Sequence, residues 1–135
     1  MGARRIIVAD DESYVTTVLA SKLRAAGHQV LTASNGEEAF LLATQTPPDL
    51  IITDYQMPIL SGYEMSVKLK QDPRTARVPL IMLTARGHHL SPEQITQTNV
   101  RVLCAKPFSA REILEKVDEI LRSTAKATSS GAEAA

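Results

Sequence analysis

Short apolar runs alternate with helical patterns along almost the whole chain, and several of the runs stop at a residue able to do chemistry. Ile6-Ile7-Val8-Ala9 stops at Asp10-Asp11, Leu50-Ile51-Ile52-Thr53 at Asp54, Leu80-Ile81-Met82-Leu83 at Thr84, and Val102-Leu103-Cys104-Ala105 at Lys106-Pro107. The alternation predicts parallel βαβ units. In an open α/β sheet, ligands bind in the crevice outside the carboxyl ends of the strands. Four strand ends bearing acid, acid, hydroxyl and ammonium would therefore converge on one pocket. Such a pocket suits a divalent metal and a phosphoryl group.

Strands are expected near residues 4–9, 28–33, 49–53, 78–83 and 100–105. Helices are expected near 12–26, 36–45, 61–71, 91–98 and 109–124. In the first helix Val15, Val18, Leu19, Lys22, Leu23 and Ala26 recur three and four apart, the spacing of one helical face. Gly27 is a natural stop for it. Ile113, Leu114, Val117, Ile120 and Leu121 give the last helix one apolar stripe for the sheet. Ser61/Glu64, Ser91/Gln94 and Ser109/Glu112 match the capping-box spacing. Pro92 takes a first helical position, where its missing N–H costs nothing. Pro47-Pro48 separates the second helix from the third strand, and Pro79 stands at a strand start, where proline is tolerated.

At 135 residues the chain fits one domain. The domain is expected over 1–124, with a flexible tail over 125–135, where Ala, Ser and Gly show no periodicity. Lys+Arg and Asp+Glu both total 15, so charge balance recommends neither nucleic acid nor an acidic membrane surface as a partner. No apolar stretch approaches the ~20 residues of a membrane span, and no signal-peptide core precedes Ile6. A single cysteine, Cys104, agrees with a reducing cytoplasm and with buried packing. No Gly-x-Gly-x-x-Gly or Walker A pattern occurs, which removes support for nucleotide binding. His88-His89 lacks further ligands at metal spacing and reads as a solvated loop.

Taken singly, the candidate residues have ordinary readings. Asp10-Asp11 could cap a helix, Asp54 could be a loop acid, and Lys106 could be a solvated lysine. Their conjunction at one end of four strands points elsewhere. Three clustered carboxylates repel one another and would raise their pKa values or capture a cation. Mg²⁺ suits an all-oxygen site and keeps several waters while binding phosphate.

These residues resemble the receiver domain of two-component response regulators, the CheY-like family. The resemblance is carried by Asp10-Asp11, Asp54 within Asp54-Tyr55-Gln56-Met57-Pro58, Gly62, Thr84-Ala85 and Lys106-Pro107-Phe108, and it covers residues 4 to about 122. It implies a doubly wound sandwich of five parallel strands in the order 2-1-3-4-5, with helices on both faces. It also implies that Asp11, Asp54 and the Gln56 carbonyl hold Mg²⁺, with Asp10 acting mostly through water. Asp54 would be the nucleophile and carry the phosphoryl group, while Thr84 and Lys106 would contact its oxygens. The Lys106–Pro107 bond would be cis. Phe108 would be a core aromatic, and Pro58 and Gly62 would shape the loop after Asp54.

The implied donor is a phosphohistidine on a sensor histidine kinase or a histidine phosphotransfer protein. The implied output is a downstream protein docked on the face of helix 4, strand 5 and helix 5, where Arg101 and the His88-His89 loop could add specificity. The chain is expected to be free-standing and cytoplasmic, without direct contact to nucleic acid or membrane. It is expected to catalyse only its own phosphorylation and dephosphorylation. Gln56 and Arg86 occupy the positions that tune acyl-phosphate lifetime in the family. Two departures bear on output. Leu103 replaces the usual aromatic, and Asn99-Val100 replaces the usual Gly-Ala, with Asn99 expected to supply a left-handed helix C-cap. Two rival readings remain: an unphosphorylated pseudo-receiver, and a haloacid-dehalogenase-type enzyme. Asp10-Asp11-Glu12 lacks the Asp-x-Asp pattern of the second.

Overall fold

A computed structural model describes residues 4–85 and 90–134, with side chains through residue 124. Strands β1 (Arg5–Ala9), β2 (Gln29–Ala33), β3 (Leu50–Asp54), β4 (Leu80–Thr84) and β5 (Val100–Ala105) alternate with five helices. These are α1 (Ser13–Ala25), α2 (Gly36–Gln45), α3 (Gly62–Gln71), α4 (Pro92–Thr96) and α5 (Ala110–Ala134). The strands form one parallel sheet in the order β2-β1-β3-β4-β5. The expected doubly wound α/β architecture is therefore present.

The three central strands explain their own composition. Apart from Arg5, every residue of β1, β3 and β4 is buried, as a strand covered on both faces requires. One face of the sheet meets α1 and α5 through Ile6, Val8, Leu50, Ile52, Ile81 and Leu83. The other meets α2, α3 and α4 through Ile7, Ala9, Ile51, Leu80 and Met82. β2 and β5 are edges and mix buried with exposed residues, in strict alternation only along β5. Ile81 pairs with Val102 while Leu80 pairs with Val100, so the register slips at Arg101, an extra residue of the bulge kind.

Several local expectations are refined. α1 buries Thr16, Leu19, Ala20 and Leu23, whereas Lys22 and Ala26 are exposed. Counting Lys22 into the apolar stripe mistook its position beside the face for burial. Capping boxes form at Ser61/Glu64 and Ser91/Gln94, and Ser109 Oγ accepts from the Glu112 N–H at 3.1 Å. Gly27 ends α1 with φ 98°. Asn99 does not take the expected left-handed conformation. Ile59 is the non-glycine residue with positive φ among the described residues, and the Asn99 amide instead donates to the Ala76 carbonyl. The last helix runs to Ala134 rather than ending near 124.

Candidate functional site

Parallel pairing brings the ends of β1, β3, β4 and β5 to one edge of the sheet. Asp10 follows β1, Asp54 ends β3, Thr84 ends β4 and Lys106 follows β5. Main-chain bonds hold the frame: Lys106 N–H donates to the Thr84 carbonyl at 2.8 Å, and Tyr55 N–H donates to the Leu83 carbonyl at 2.8 Å. The Lys106–Pro107 bond is cis, as the resemblance implies. Phe108 packs beside the α1/α5 core.

Asp10, Asp11 and Asp54 each bring a carboxylate oxygen within 4.8 Å of the others. Lys106 Nζ stands 3.3 Å from Asp10 Oδ2, 3.3 Å from Glu12 Oε1 and 3.4 Å from Asp54 Oδ1. Asp10 and Asp54 are buried, while Asp11 is exposed. Burial pushes the Asp54 carboxyl up to about 6, Asp10 adds to the rise, and Lys106 opposes it. Burial also raises Asp10, against the Glu12 N–H and Lys106. For Lys106, burial alone would lower the ammonium, but the Asp10 and Asp54 charges outweigh it and the net shift is upward. The site is thus an anionic pocket with one internal cation.

An all-oxygen donor set with crowded, partly neutralised carboxylates fits a hard divalent cation. Asp11, the exposed member, faces the open cleft of about 610 Å³ that Asp54, Gln56, Met57, Pro58, Ala85 and Lys106 also line. Thr84 is buried one residue before Ala85. Expected site residues Asp10, Asp11 and Asp54 are therefore in mutual reach and Lys106 pairs with Asp10 and Asp54, while Gln56 lines the cleft and Thr84 is buried beside it. Arg86 and His88-His89 lie outside the described residues.

The helix-cap reading of Asp10-Asp11 is not what forms. The N-cap of α1 is Glu12, whose side chain makes no cap hydrogen bond, and Asp10 Oδ1 accepts from the Glu12 N–H at 2.9 Å. Glu12 itself was not singled out by the sequence. Its place directly after Asp10-Asp11, at the head of a helix that prefers Ser, Thr, Asp or Asn as cap, was the available signal.

Comparison with known proteins agrees with this geometry. The chain matches the response regulator receiver domain model over residues 6–118 and belongs to that family. It is 35% identical over 124 residues to the phosphate regulon transcriptional regulatory protein PhoB of Pseudomonas aeruginosa, covering 92% of this chain and 54% of that protein. The chain spans about half the length of the curated relatives it matches. Among solved structures, a response regulator receiver domain protein from Clostridium thermocellum superposes with TM-score 0.79 at 27% identity, covering 90% of this chain and 96% of that one. The receiver domain of sensor histidine kinase PA1611 from Pseudomonas aeruginosa, solved with a magnesium ion coordinated in its active site cleft, gives TM-score 0.78 at 27% identity over 89% of this chain and 98% of that one. Among the described residues, no helix is long and apolar enough to cross a membrane.

Proposed function

We propose that this receiver is a phosphorylation switch in which Asp54 accepts a phosphoryl group from a phosphohistidine of a sensor kinase or phosphotransfer protein. The observation that supports it most is the placing of Asp54 Oδ1 3.4 Å from Lys106 Nζ, beside Asp10 and Asp11, at the mouth of the cleft. An Asp54 oxygen attacks phosphorus as the donor's P–N bond breaks. The bonding pair leaves with the imidazole nitrogen, which takes a proton from solvent, and an acyl phosphate remains on Asp54. Hydrolysis reverses the state: water attacks phosphorus, inorganic phosphate leaves and the carboxylate returns.

Asp11, Asp54 and the Gln56 carbonyl would hold Mg²⁺, with Asp10 acting mostly through water; the PA1611 receiver likewise has a magnesium ion coordinated in its active site cleft. Bound Mg²⁺ would supply positive charge against the carboxylates and the phosphoryl oxygens. Lys106 supplies the protein's own cation to those oxygens, and Thr84 supplies a hydroxyl. Positioning and electrostatics of this kind carry phosphoryl transfer. The chain acts on no separate substrate in this reading and catalyses only its own phosphorylation and dephosphorylation.

Output would pass through the face of α4, β5 and α5, where Arg101 and Leu103 are exposed. The proposed switch needs no contact of this receiver with nucleic acid or membrane. The curated relatives extend beyond the receiver, so a partner in the same polypeptide and a separate protein are both compatible with this face. A single cysteine, raised in pKa by burial, fits the reducing cytoplasm in which we place the protein. Incubation with acetyl phosphate and Mg²⁺ should add one phosphoryl group by intact mass, and Asp54→Asn should add none. Labelling of the Asn variant at another residue, or no labelling of the native protein by any donor, would overturn the proposal. Turnover of a free phosphoester would favour the dehalogenase-type enzyme instead.

A further inference from the structure

Glu12 sits at the N-cap of α1 but leaves the cap unmade. Its Oε1 accepts from Lys106 Nζ at 3.3 Å, alongside Asp10 Oδ2 at the same distance. An ammonium has three protons to donate, and three carboxylates surround this one. A phosphoryl group on Asp54 places its oxygens beyond the carboxylate, and an ammonium that follows them must loosen its hold on Asp10 or Glu12. Asp10 is buried, and losing its cation would leave an uncompensated internal charge. Asp54 is the acceptor and becomes esterified. The Glu12 side chain is 63% exposed and lies outside the carboxylate group able to hold a metal. It alone can return to water at small cost.

We propose that Glu12 is a positioning residue that holds Lys106 toward the β1–α1 loop in the unphosphorylated site, and that its release sets how fast Asp54 is phosphorylated. The inference rests on Asp54 being the acceptor. Solvent-exposed ion pairs are weak, so the effect on rate is about two- to fivefold.

Glu12→Gln keeps the size of the side chain and removes its charge. Glu12→Asp keeps the charge and shortens the reach by one methylene. The rate of phosphoryl uptake, followed by intact mass at saturating Mg²⁺ with acetyl phosphate and with phosphoramidate, should rise about two- to fivefold in both variants and with both donors. In metal-free protein, the Lys106 13Cε resonance should move in both variants, a readout independent of turnover. Equal rates for native protein and Glu12→Gln, or an unmoved Lys106 resonance, would overturn the role of Glu12 while leaving Asp54 as acceptor. A gain limited to the more anionic donor, erased by high salt and absent in Glu12→Asp, would show plain repulsion and also overturn it. Failure of native protein and variants alike to take up a phosphoryl group would instead remove the proposed phosphorylation switch, and this inference with it.

Discussion

Gly62 lies so close to Asp54 that a methyl group on it would collide with the Asp54 carbonyl oxygen. Its N–H donates to the Tyr55 carbonyl at 2.8 Å, which docks the start of α3 directly against the end of β3. Gly62→Ala must push β3 or α3 aside, at a cost of about 1–3 kcal/mol. The melting temperature should fall by several degrees and phosphoryl uptake should fall with it. Gly27→Ala is the contrast. Nothing lies within 4 Å of the added carbon, so only the strain of φ 98° opposes it, about 1–2 kcal/mol. Uptake by the folded Gly27→Ala protein should match the native rate. Thermal scans paired with mass labelling would separate the two.

The raised Asp54 pKa makes stability depend on pH in a defined direction. A carboxyl shifted up to about 6 in the folded protein favours folding when protonated. That stabilisation is complete below the unfolded value near 3.8 and is lost as pH rises through about 6. Asp54→Asn should therefore raise metal-free stability at pH 8 by about 1–3 kcal/mol and make little difference at pH 4. Urea midpoints in EDTA at pH 4, 6 and 8 would check this. An Asn variant less stable than native at pH 8 would mean that Lys106 outweighs burial at Asp54.

Asp10 and Asp11 should separate into different phenotypes. Asp11 is exposed on the cleft, whereas Asp10 is buried, pairs with Lys106 and accepts from the Glu12 N–H. Asp11→Ala should weaken Mg²⁺ binding with little loss of stability. Asp10→Ala should cost about 1–3 kcal/mol through the groups it leaves unpaired and weaken the metal less. Lys106→Ala should bind Mg²⁺ at least as tightly as native protein, because one cation fewer repels the ion, yet lose phosphoryl transfer or signalling. Calorimetric titration alongside mass labelling would test all three. Equal loss of metal in all three variants would contradict the division of roles.

The site was legible because its chemistry lies at strand ends. Once β1, β3, β4 and β5 are read as parallel, Asp10, Asp54, Thr84 and Lys106 have no other edge to occupy. What the sequence hid depends on side-chain direction. Spacing alone placed Lys22 in the apolar stripe of α1, although its chain leaves the face. Asn99 suits a left-handed cap by type, but the neighbouring Ala76 carbonyl offered its amide a better use. The positive φ of 73° falls on Ile59, where no local rule would put it. Glu12 reads as a surface acid until Lys106, distant in sequence, is folded back against it.

In the proposed switch, the relay from Asp54 to the outer face would rest on Thr84 and Leu103. Thr84 is buried at the end of β4 and pairs with Ala105, while Leu103 pairs with Met82. Leu103 is 37% exposed and Val100 is buried against the α3–α4 side. The short α4 is linked to α3 by Tyr63 Oη donating to Gln97 at 2.9 Å and Lys70 Nζ donating to the Thr96 carbonyl at 2.8 Å. A ligand moves a two-state equilibrium only through contacts that differ between the states, and Thr84 meeting a phosphoryl oxygen is such a contact. Without an aromatic at position 103, the proposed switch would work by smaller repacking around Leu103, Val100 and α4. Beryllofluoride should therefore shift resonances across residues 85–122 in native protein. Leu103→Ala should change stability by less than about 1 kcal/mol, since the side chain is already part-exposed, and should keep Asp54 labelling while reducing those distant shifts. Thr84→Ala should reduce them further with labelling retained. Shifts confined to the cleft in native protein, or an unaltered pattern in Leu103→Ala, would show that the phosphoryl group is not reported through β5.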